Sequence, residues 1–410
     1  MLSAAPAHAQ AARRLAILIA EQRGAQTAAD MATIRAGLRS TDPDTVRAAV
    51  RALGRLERPA VIPEMVAALR ARWPEVRAEA ANAVGQAARG ASVRTAYTTL
   101  AGRLSVEDDP NVRAVLCETI GRLPYADAIQ VAQAEETLVE MAGRSTGVAD
   151  RLGVAKGLEA LVRISGATRP PGVNAVVLLE ALARRDTATG PADPLRDARI
   201  RRLALEGLVM AGEVDDAVIE RAVEDPDPQV RRLAMRAAWS VSPELETPFL
   251  EDVLRRGLED PVPMVRIAAL QDEPGRGQAD GLACALALAT IGDAEVLVAL
   301  AAIDRLAACR ESDGAVAALE RLVNDLSEVN APRGWHRTAH ALVSLAGAGP
   351  DRARAKLEQF AGSLNWPLRL YAAKAAAVLR DQATLEKLSR DPDAAVAGEG
   401  RRGLSTLGGV

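Results

Sequence analysis

The sequence predicts an all-α solenoid of about eleven or twelve helical hairpins, and three observations carry that prediction. A short phrase recurs: DPDTVRAAVRALGRL (42–56), WPEVRAEAANAVGQA (73–87), DPNVRAVLCETIGRL (109–123), DPDPQVRRLAMRAAWSV (225–241) and DPVPMVRIAAL (260–270). Apolar residues within each copy keep a helical period. Finally, the 410 residues are 49% apolar but only 2% aromatic. A core of Ala, Leu and Val suits closely packed helices better than sheets, which lean on large rings.

Each element has a written start. Pro stands at the head of each copy, where its missing N–H costs a helix nothing. An Asp just ahead, as at Asp42, Asp109 and Asp227, can accept the unpaired amides of the first turn. Pro43, Pro74 and Pro110 each lie eleven residues before a Gly, namely Gly54, Gly85 and Gly121, which reads as a helix stop. Counted from the Pro, Val112, Val115, Leu116, Ile120 and Leu123 fall on one broad face, as do Val230, Leu233, Ala234, Ala237, Ala238 and Val241. Between these helices lie other amphipathic segments, such as 60–72, 216–225 and 383–391. The unit is therefore a two-helix hairpin, and a lone hairpin cannot bury its apolar face without neighbours. Weaker copies at 147–164, 195–212, 335–347 and 366–379 extend the array over residues 10–410. Pro- and Gly-rich stretches at 165–175, 185–197 and 271–281 are candidate bends.

The Asp-Pro turn, the Val-Arg pair and the Ala-rich helix resemble HEAT repeats, and the resemblance implies a HEAT-repeat α-α superhelix. It also implies a ladder in which the Arg after the Val reaches an acid at a turn of its own or the next unit. The matching positions are Arg77, Arg113, Arg231 and Arg266, with Asp109, Asp227 and Asp260 as acceptors. The first copy departs, because Val46 takes the Arg slot and Arg47 follows it. Curved arrays recognise partners along the second helices. Offsets 4, 8 and 11 from the Pro are expected to face the groove, with Arg51, Asn82, Glu118, Arg236 and Trp239 as candidate lining residues and a solvated face as the alternative; Trp239 reads either as an exposed anchor or as a ring packed between units.

Chemistry is sparsely written. His336 and His340 sit one helical turn apart, but Arg337 stands where an H-E-x-x-H site needs its Glu. His8 is the third and last histidine. No metal, no cofactor and no catalytic residue is assigned; the scarcity of His leaves a Ser-His-Asp triad almost nowhere to form and disposes of the di-iron HEAT-fold hydroxylases, while a glycosidase-like carboxylate pair stays open with nothing favouring it. Cys117, Cys284 and Cys309 are an odd, widely spaced set, read as small apolar helix residues and not as a disulfide. The net charge of -3 gives no general attraction for nucleic acid. A DNA-binding array would have to use a local patch from Arg231, Arg232, Arg236, Arg255 and Arg256. No apolar run approaches the ~20 residues that span a bilayer.

The leader MLSAAPAHAQ contains Ala7-His8-Ala9, the form of a signal-peptidase site, so residues 1–9 read as the remnant of a secretory signal and the array as periplasmic or secreted, with a cytoplasmic Ala-rich leader as the alternative. The phrases RALGRLERP, RAEAANAVGQA, GRLPY, WHRTAHALVSLA and LRLYAAKAAAVL are similar, in this order, to the HEAT region that precedes a cyclophilin-type peptidyl-prolyl isomerase domain in certain secreted bacterial proteins. That resemblance implies a substrate-recruiting arm. The isomerase's own F-H-R and G-G-D segments are absent from residues 1–410, so an enzyme name would belong to a longer parent. The last residues, GRRGLSTLGGV, carry no polar terminal cap, which fits a chain continuing into such a domain. The expected function is a non-catalytic scaffold that binds a protein or peptide.

Overall fold

The computed structural model describes residues 4–184, 194–240, 247–271, 281–310, 312–327, 329 and 334–408. Among these residues every regular element is a helix. The chain divides into two units, one ending at Arg221 and one beginning at Ala222.

In the first unit the helices are α1 (Ala4–Gln22), α2 (Ala28–Leu38), α3 (Pro43–Arg55), α4 (Ile62–Val66), α5 (Pro74–Ala87), α6 (Ser92–Leu104), α7 (Pro110–Gly121), α8 (Ala128–Arg144), α9 (Val148–Ser165), α10 (Val173–Ala183) and α11 (Pro194–Ala211). The division falls within α12 (Asp216–Val223). The second unit continues with α13 (Pro228–Ser240), α14 (Thr247–Leu258), α15 (Pro263–Leu270), α16 (Gly281–Thr290), α17 (Val296–Arg305), α18 (Asp313–Asn324), α19 (Trp335–Ala348), α20 (Pro350–Ala361), α21 (Trp366–Leu379), α22 (Gln382–Leu388) and α23 (Ala394–Leu407). Taken in chain order, α2 to α23 form eleven pairs, each a first helix followed by a second.

Two layers result in each unit. The second helices pack on one another in sequence, α1 through α11 and then α13 through α23, taking the odd-numbered helices of each unit by itself. The first helices cover them. Alanine makes the odd layer possible: Ala49, Ala52, Ala80, Ala81, Ala372, Ala373, Ala375 and Ala376 are fully buried, and small side chains let helix axes approach. Leu53, Leu116, Ile120, Leu158 and Phe360 fill the space between layers.

The N-terminal signals act as the residue types require. Asp42 accepts from the amide of Thr45, and Asp109 from those of Asn111 and Val112, with Pro43 and Pro110 leading their helices. The glycines do something else than the sequence suggested. Gly54, Gly85 and Gly121 lie within the last turn of their helices, and the left-handed glycines are Gly24, Gly90 and Gly212. A Cβ on Gly54 would lie 2.7 Å from the Ala83 Cα of the next second helix, and one on Gly121 would overlap the Gly157 carbonyl. They are contact points between neighbouring helices, not stops.

A second correction concerns the cysteines. Cys284 of α16 and Cys309, which follows α17, form a disulfide across 25 residues with Cα atoms 5.9 Å apart. Spacing alone could not show it, because the two positions meet only once the hairpin folds. Cys117 is buried and unpaired, with burial, the largest influence, pushing its thiol up to about 12. Closing a loop of this length restricts the unfolded chain, so the double change Cys284→Ala/Cys309→Ala is expected to cost about 2–3 kcal/mol. Thermal melts with and without reductant check this: the wild-type midpoint should fall on reduction and the variant's should not.

The candidate bends receive partial description. The 166–172 loop is tied down where Glu135 accepts from Arg169 at 2.9 Å and from the amide of Gly172 at 3.0 Å. Residues 185–193 and 272–280 lie outside the described residues. Ala7-His8-Ala9 falls inside α1, and residues 1–3 lie outside the described part.

Candidate functional site

The turns between first and second helices are built around a repeated guanidinium. Arg77 donates from Nε and Nη2 to Glu107 at 2.8 and 2.6 Å, and Arg113 to Asp150 at 2.8 and 2.7 Å. In the second unit Arg231 grips Asp260 at 2.6 and 3.0 Å, and Arg266 grips Asp293 at 2.9 and 2.9 Å. Each uses its remaining nitrogen, Nη1, on a carbonyl of its own turn, as Arg113 does on Asp108 at 2.7 Å and Arg231 on Asp225 at 2.8 Å. The planar fork thus fixes two consecutive turns at once.

Three details differ from the sequence reading. Asp109 and Asp227 serve as caps, Asp227 accepting from the amides of Gln229 and Val230. The acceptor for Arg77 lies two residues earlier, at Glu107, because the N-cap side chain faces its own helix. A further rung was missed: Arg369 of α21 binds Asp391 at 2.7 and 2.9 Å. Its signal is the position counted from the helix start, since Arg369 is the fourth residue of α21 as Arg113 is of α7, while Pro367 sits one place later than Pro110 does. In the first copy Arg47 is exposed and reaches only Asp44 at 3.6 Å, and Arg14 of α1 donates to Asp42 at 2.8 Å instead.

The expected lining residues separate into two groups. Arg51, Asn82, Glu118 and Arg236 share offset 8 from the Pro, and in the first unit this row is joined across helices. Asn82 accepts from Arg122 at 3.0 Å; Glu118 accepts from Lys156 of α9 at 2.7 Å and pairs with Arg122 at 3.5 Å. Arg51 reaches back to Glu21 of α1 at 3.6 Å. Nearby, burial pushes the Glu79 carboxyl up, with Arg47 and Arg51 pulling it back. Arg236 is exposed. Trp239 is not a surface anchor: it is 2% exposed, and its Nε1–H donates to the Ala269 carbonyl at 3.1 Å. At offset 11 it holds the place that Gly54 and Gly121 hold elsewhere, a position that faces the next second helix.

The cationic patch required for a DNA-binding array is largely paired. Arg231 is a ladder rung, Arg255 donates to Glu251 at 2.6 Å, and Arg256 reaches Asp252 at 3.0 Å and Glu224 at 3.7 Å.

The second unit holds a cluster that sequence reading only half perceived. His336 stacks on Trp335 with centroids 3.8 Å apart. His340 lies instead between two other helices: its Nδ1 is 2.7 Å from Asp304 Oδ1 of α17, and its Nε2 is 2.7 Å from the Tyr371 hydroxyl of α21. The ammonium of Lys374 stands 4.3 Å from the centre of the Tyr371 ring, a cation–π distance. Burial first, and then Asp304, push the Tyr371 hydroxyl up, so it stays protonated. Asp304 and Tyr371 lie 36 and 31 residues from His340, which is why no local motif announced them. No group of three or more potential metal ligands occurs among the described residues. One groove of the second unit, about 580 Å³, lies between first helices α16 and α18 and is lined by Leu288, Ala317 and Arg321.

Comparisons with known proteins agree with this architecture. Residues 31–121 match the family HEAT repeats. No curated protein sequence matches the chain. Among solved structures, the karyopherin Kap121p is similar at 13% identity and a TM-score of 0.55, with 92% of this chain covered and 45% of the other. Kap121p bound to the SUMO protease Ulp1p is similar at 12% identity and a TM-score of 0.56, with 92% and 45% covered. A homology model of the full-length AP-3 complex is similar at 13% identity and a TM-score of 0.50, with 96% and 88% covered. The chain thus spans 45% of the length of the Kap121p chains it matches. By fold, this protein is an all-α array of HEAT-type helical hairpins.

Proposed function

We propose that the array is a non-catalytic scaffold that recognises protein partners along its second-helix layer. The observation that carries this reading is the polar row. Asn82, Arg122, Glu118 and Lys156 are joined across α5, α7 and α9, and Asp304, His340 and Tyr371 across α17, α19 and α21. Such a row presents ordered donors and acceptors at the repeat spacing, which is what an extended partner needs. Support from the structural neighbours is indirect: Kap121p occurs bound to Ulp1p, and its likeness here is one of fold. The Asp304–His340–Tyr371 chain has the connectivity of a relay, yet its terminal hydroxyl is held protonated and lies outside the described grooves.

The finer reading is that this scaffold is the substrate-recruiting arm of an exported peptidyl-prolyl isomerase. The order of the HEAT-like phrases and the A-x-A leader support it, and the Cys284–Cys309 disulfide suits an oxidising compartment.

Capture from a periplasmic extract, with the array as bait, tests the scaffold reading. The double variant Glu118→Lys/Arg236→Glu is expected to lose at least about ten-fold of the captured partner, a change of ~1.4 kcal/mol. Arg255→Glu, on first helix α14, should leave capture unchanged. The reverse pattern would place recognition on the other layer.

A further inference from the structure

The aromatic and charged cluster on α17, α19 and α21 is built so that one proton changes what it offers. With His340 neutral, its Nδ1–H donates to Asp304 and its Nε2 accepts the only proton of Tyr371. Tyr371 then shows only lone pairs to the outside. When His340 takes a second proton, Nε2 becomes a donor, the Tyr371 oxygen accepts from it, and the hydroxyl proton must turn elsewhere. The same event changes the local charge. Lys374 supplies one positive charge and Asp304 one negative, so the cluster is neutral before protonation of His340 and carries one net positive charge after it.

Other charged groups around α19 are engaged away from His340. On α17, the Arg305 guanidinium lies 6.0 Å from the Trp239 ring. On α19 itself, His336 stacks on Trp335, and Arg337 donates to the Asp293 carbonyl at 2.7 Å. On α18 and α20, Glu320 pairs with Arg352 at 3.6 Å, Arg354 pairs with Asp351 at 3.3 Å, and Arg321 lines the groove between α16 and α18. The cation of α21, Lys374, lies over the Tyr371 ring and has no acid within salt-bridge reach among the described residues.

We propose that this face of the second unit binds an anionic peptide segment, its carboxylates taken by Lys374 and the Tyr371 hydroxyl, and that protonation of His340 opens the site. The inference rests on the scaffold reading above and adds the partner's chemistry and its pH dependence. Charge complementarity chooses the occupant: among the described residues the unpaired charge of the cluster is the Lys374 cation, and a proton taken up by His340 adds a second positive charge and supplies a donor. A basic segment would meet Lys374 at every pH. Asp304 remains matched by His340, with which it forms the stronger, charge-assisted bond once the ring is protonated.

Three fluorescein-labelled peptides test this by anisotropy on the full chain: hexa-aspartate, hexa-lysine and a neutral Gly-Ser hexamer. Hexa-aspartate is expected to bind about ten-fold more tightly near pH 5.5 than near pH 8. Lys374→Gln should weaken it about ten-fold at the lower pH. Tyr371→Phe should keep part of the affinity through Lys374 and flatten the pH step, because the hydroxyl that His340 turns is gone; Lys374→Gln keeps that hydroxyl, so the two variants separate its part from the cation's. Unchanged helical circular dichroism and thermal midpoints identify the variants as folded. A wild-type affinity independent of pH, or a full pH step in Tyr371→Phe, would overturn the proposal. Preference for hexa-lysine or the neutral peptide would overturn the anionic assignment and leave the scaffold reading standing. Binding of none of the three, together with loss of capture from extract, would remove both.

Discussion

Gly121→Ala is expected to destabilise the first unit by about 3–4 kcal/mol, near the upper end for a single added methyl group. The new Cβ would overlap the Gly157 carbonyl, a backbone atom that no rotamer change can move. Helix α7 must therefore withdraw from α9, and the contact on the other side of the pair fails with it, because a Cβ on Gly157 would in turn lie 2.6 Å from the Cys117 carbonyl. Gly102→Ala is the control. It lies in α6 with nothing within 4 Å of the added atom, so it should be neutral or stabilise by up to about 1 kcal/mol. Urea titration followed by circular dichroism checks both: the midpoint of the first transition should drop for Gly121→Ala and hold or rise for Gly102→Ala. Coincident curves for Gly121→Ala and wild type would show that α7 and α9 do not depend on their close approach.

The second large effect is expected at Glu107. Its carboxylate is fully buried and accepts from Arg77, from Arg103 at 3.0 and 2.6 Å, and from the Asp109 amide at 2.9 Å. Burial by itself raises this carboxyl, but the two guanidinium groups and the amide outweigh it and hold it down at about 2. Glu107→Gln leaves two cations facing a neutral amide, a loss of about 3–5 kcal/mol at neutral pH. The direction with pH follows from the depressed value. The stabilisation is fully present above the unfolded carboxyl's range, near ~4.3, and is lost as the pH falls toward the folded value of about 2. Melting temperatures measured across this window should decline steeply for wild type and less for Glu107→Gln, so the two curves converge in acid. Asp260, Asp293 and Asp391 are held low by their arginines against the opposing effect of burial, so the second unit should soften in the same acid range.

The helical period, the Asp-Pro starts and the arginine positions were legible because each is a local pattern on one helix. Phrases such as DPNVRAVLCETIGRL state a cap, a buried face and a rung within fifteen residues. What eluded the sequence is whatever depends on which helix lies alongside. Gly121 looks like a stop until Gly157 is seen against it. Trp239 reads equally as a groove anchor or a ring between units until Ala269 is seen to accept its N–H. Cys284 and Cys309 look like spacers until the hairpin closes. The relay of Asp304, His340 and Tyr371 is the extreme case, since its three members lie on three different repeats and only His340 stood out by rarity. Offsets counted from the Pro group Asn82 and Glu118 in one row, but they miss Arg369, whose place is set by the helix start.

Each ladder arginine borrows carbonyls from the turn before it and a carboxylate from the turn after it. An edit to the gene that removes one repeat length, for example residues 260–292 with α15 and α16, would therefore deliver Asp293 to Arg231 in the place vacated by Asp260. Duplication of the same interval would be sealed in the same manner. The Arg–Asp rung is the same on either side of this cut, so a change in repeat number keeps the ladder, although it gives up contacts private to one pair of helices such as the Cys284–Cys309 disulfide.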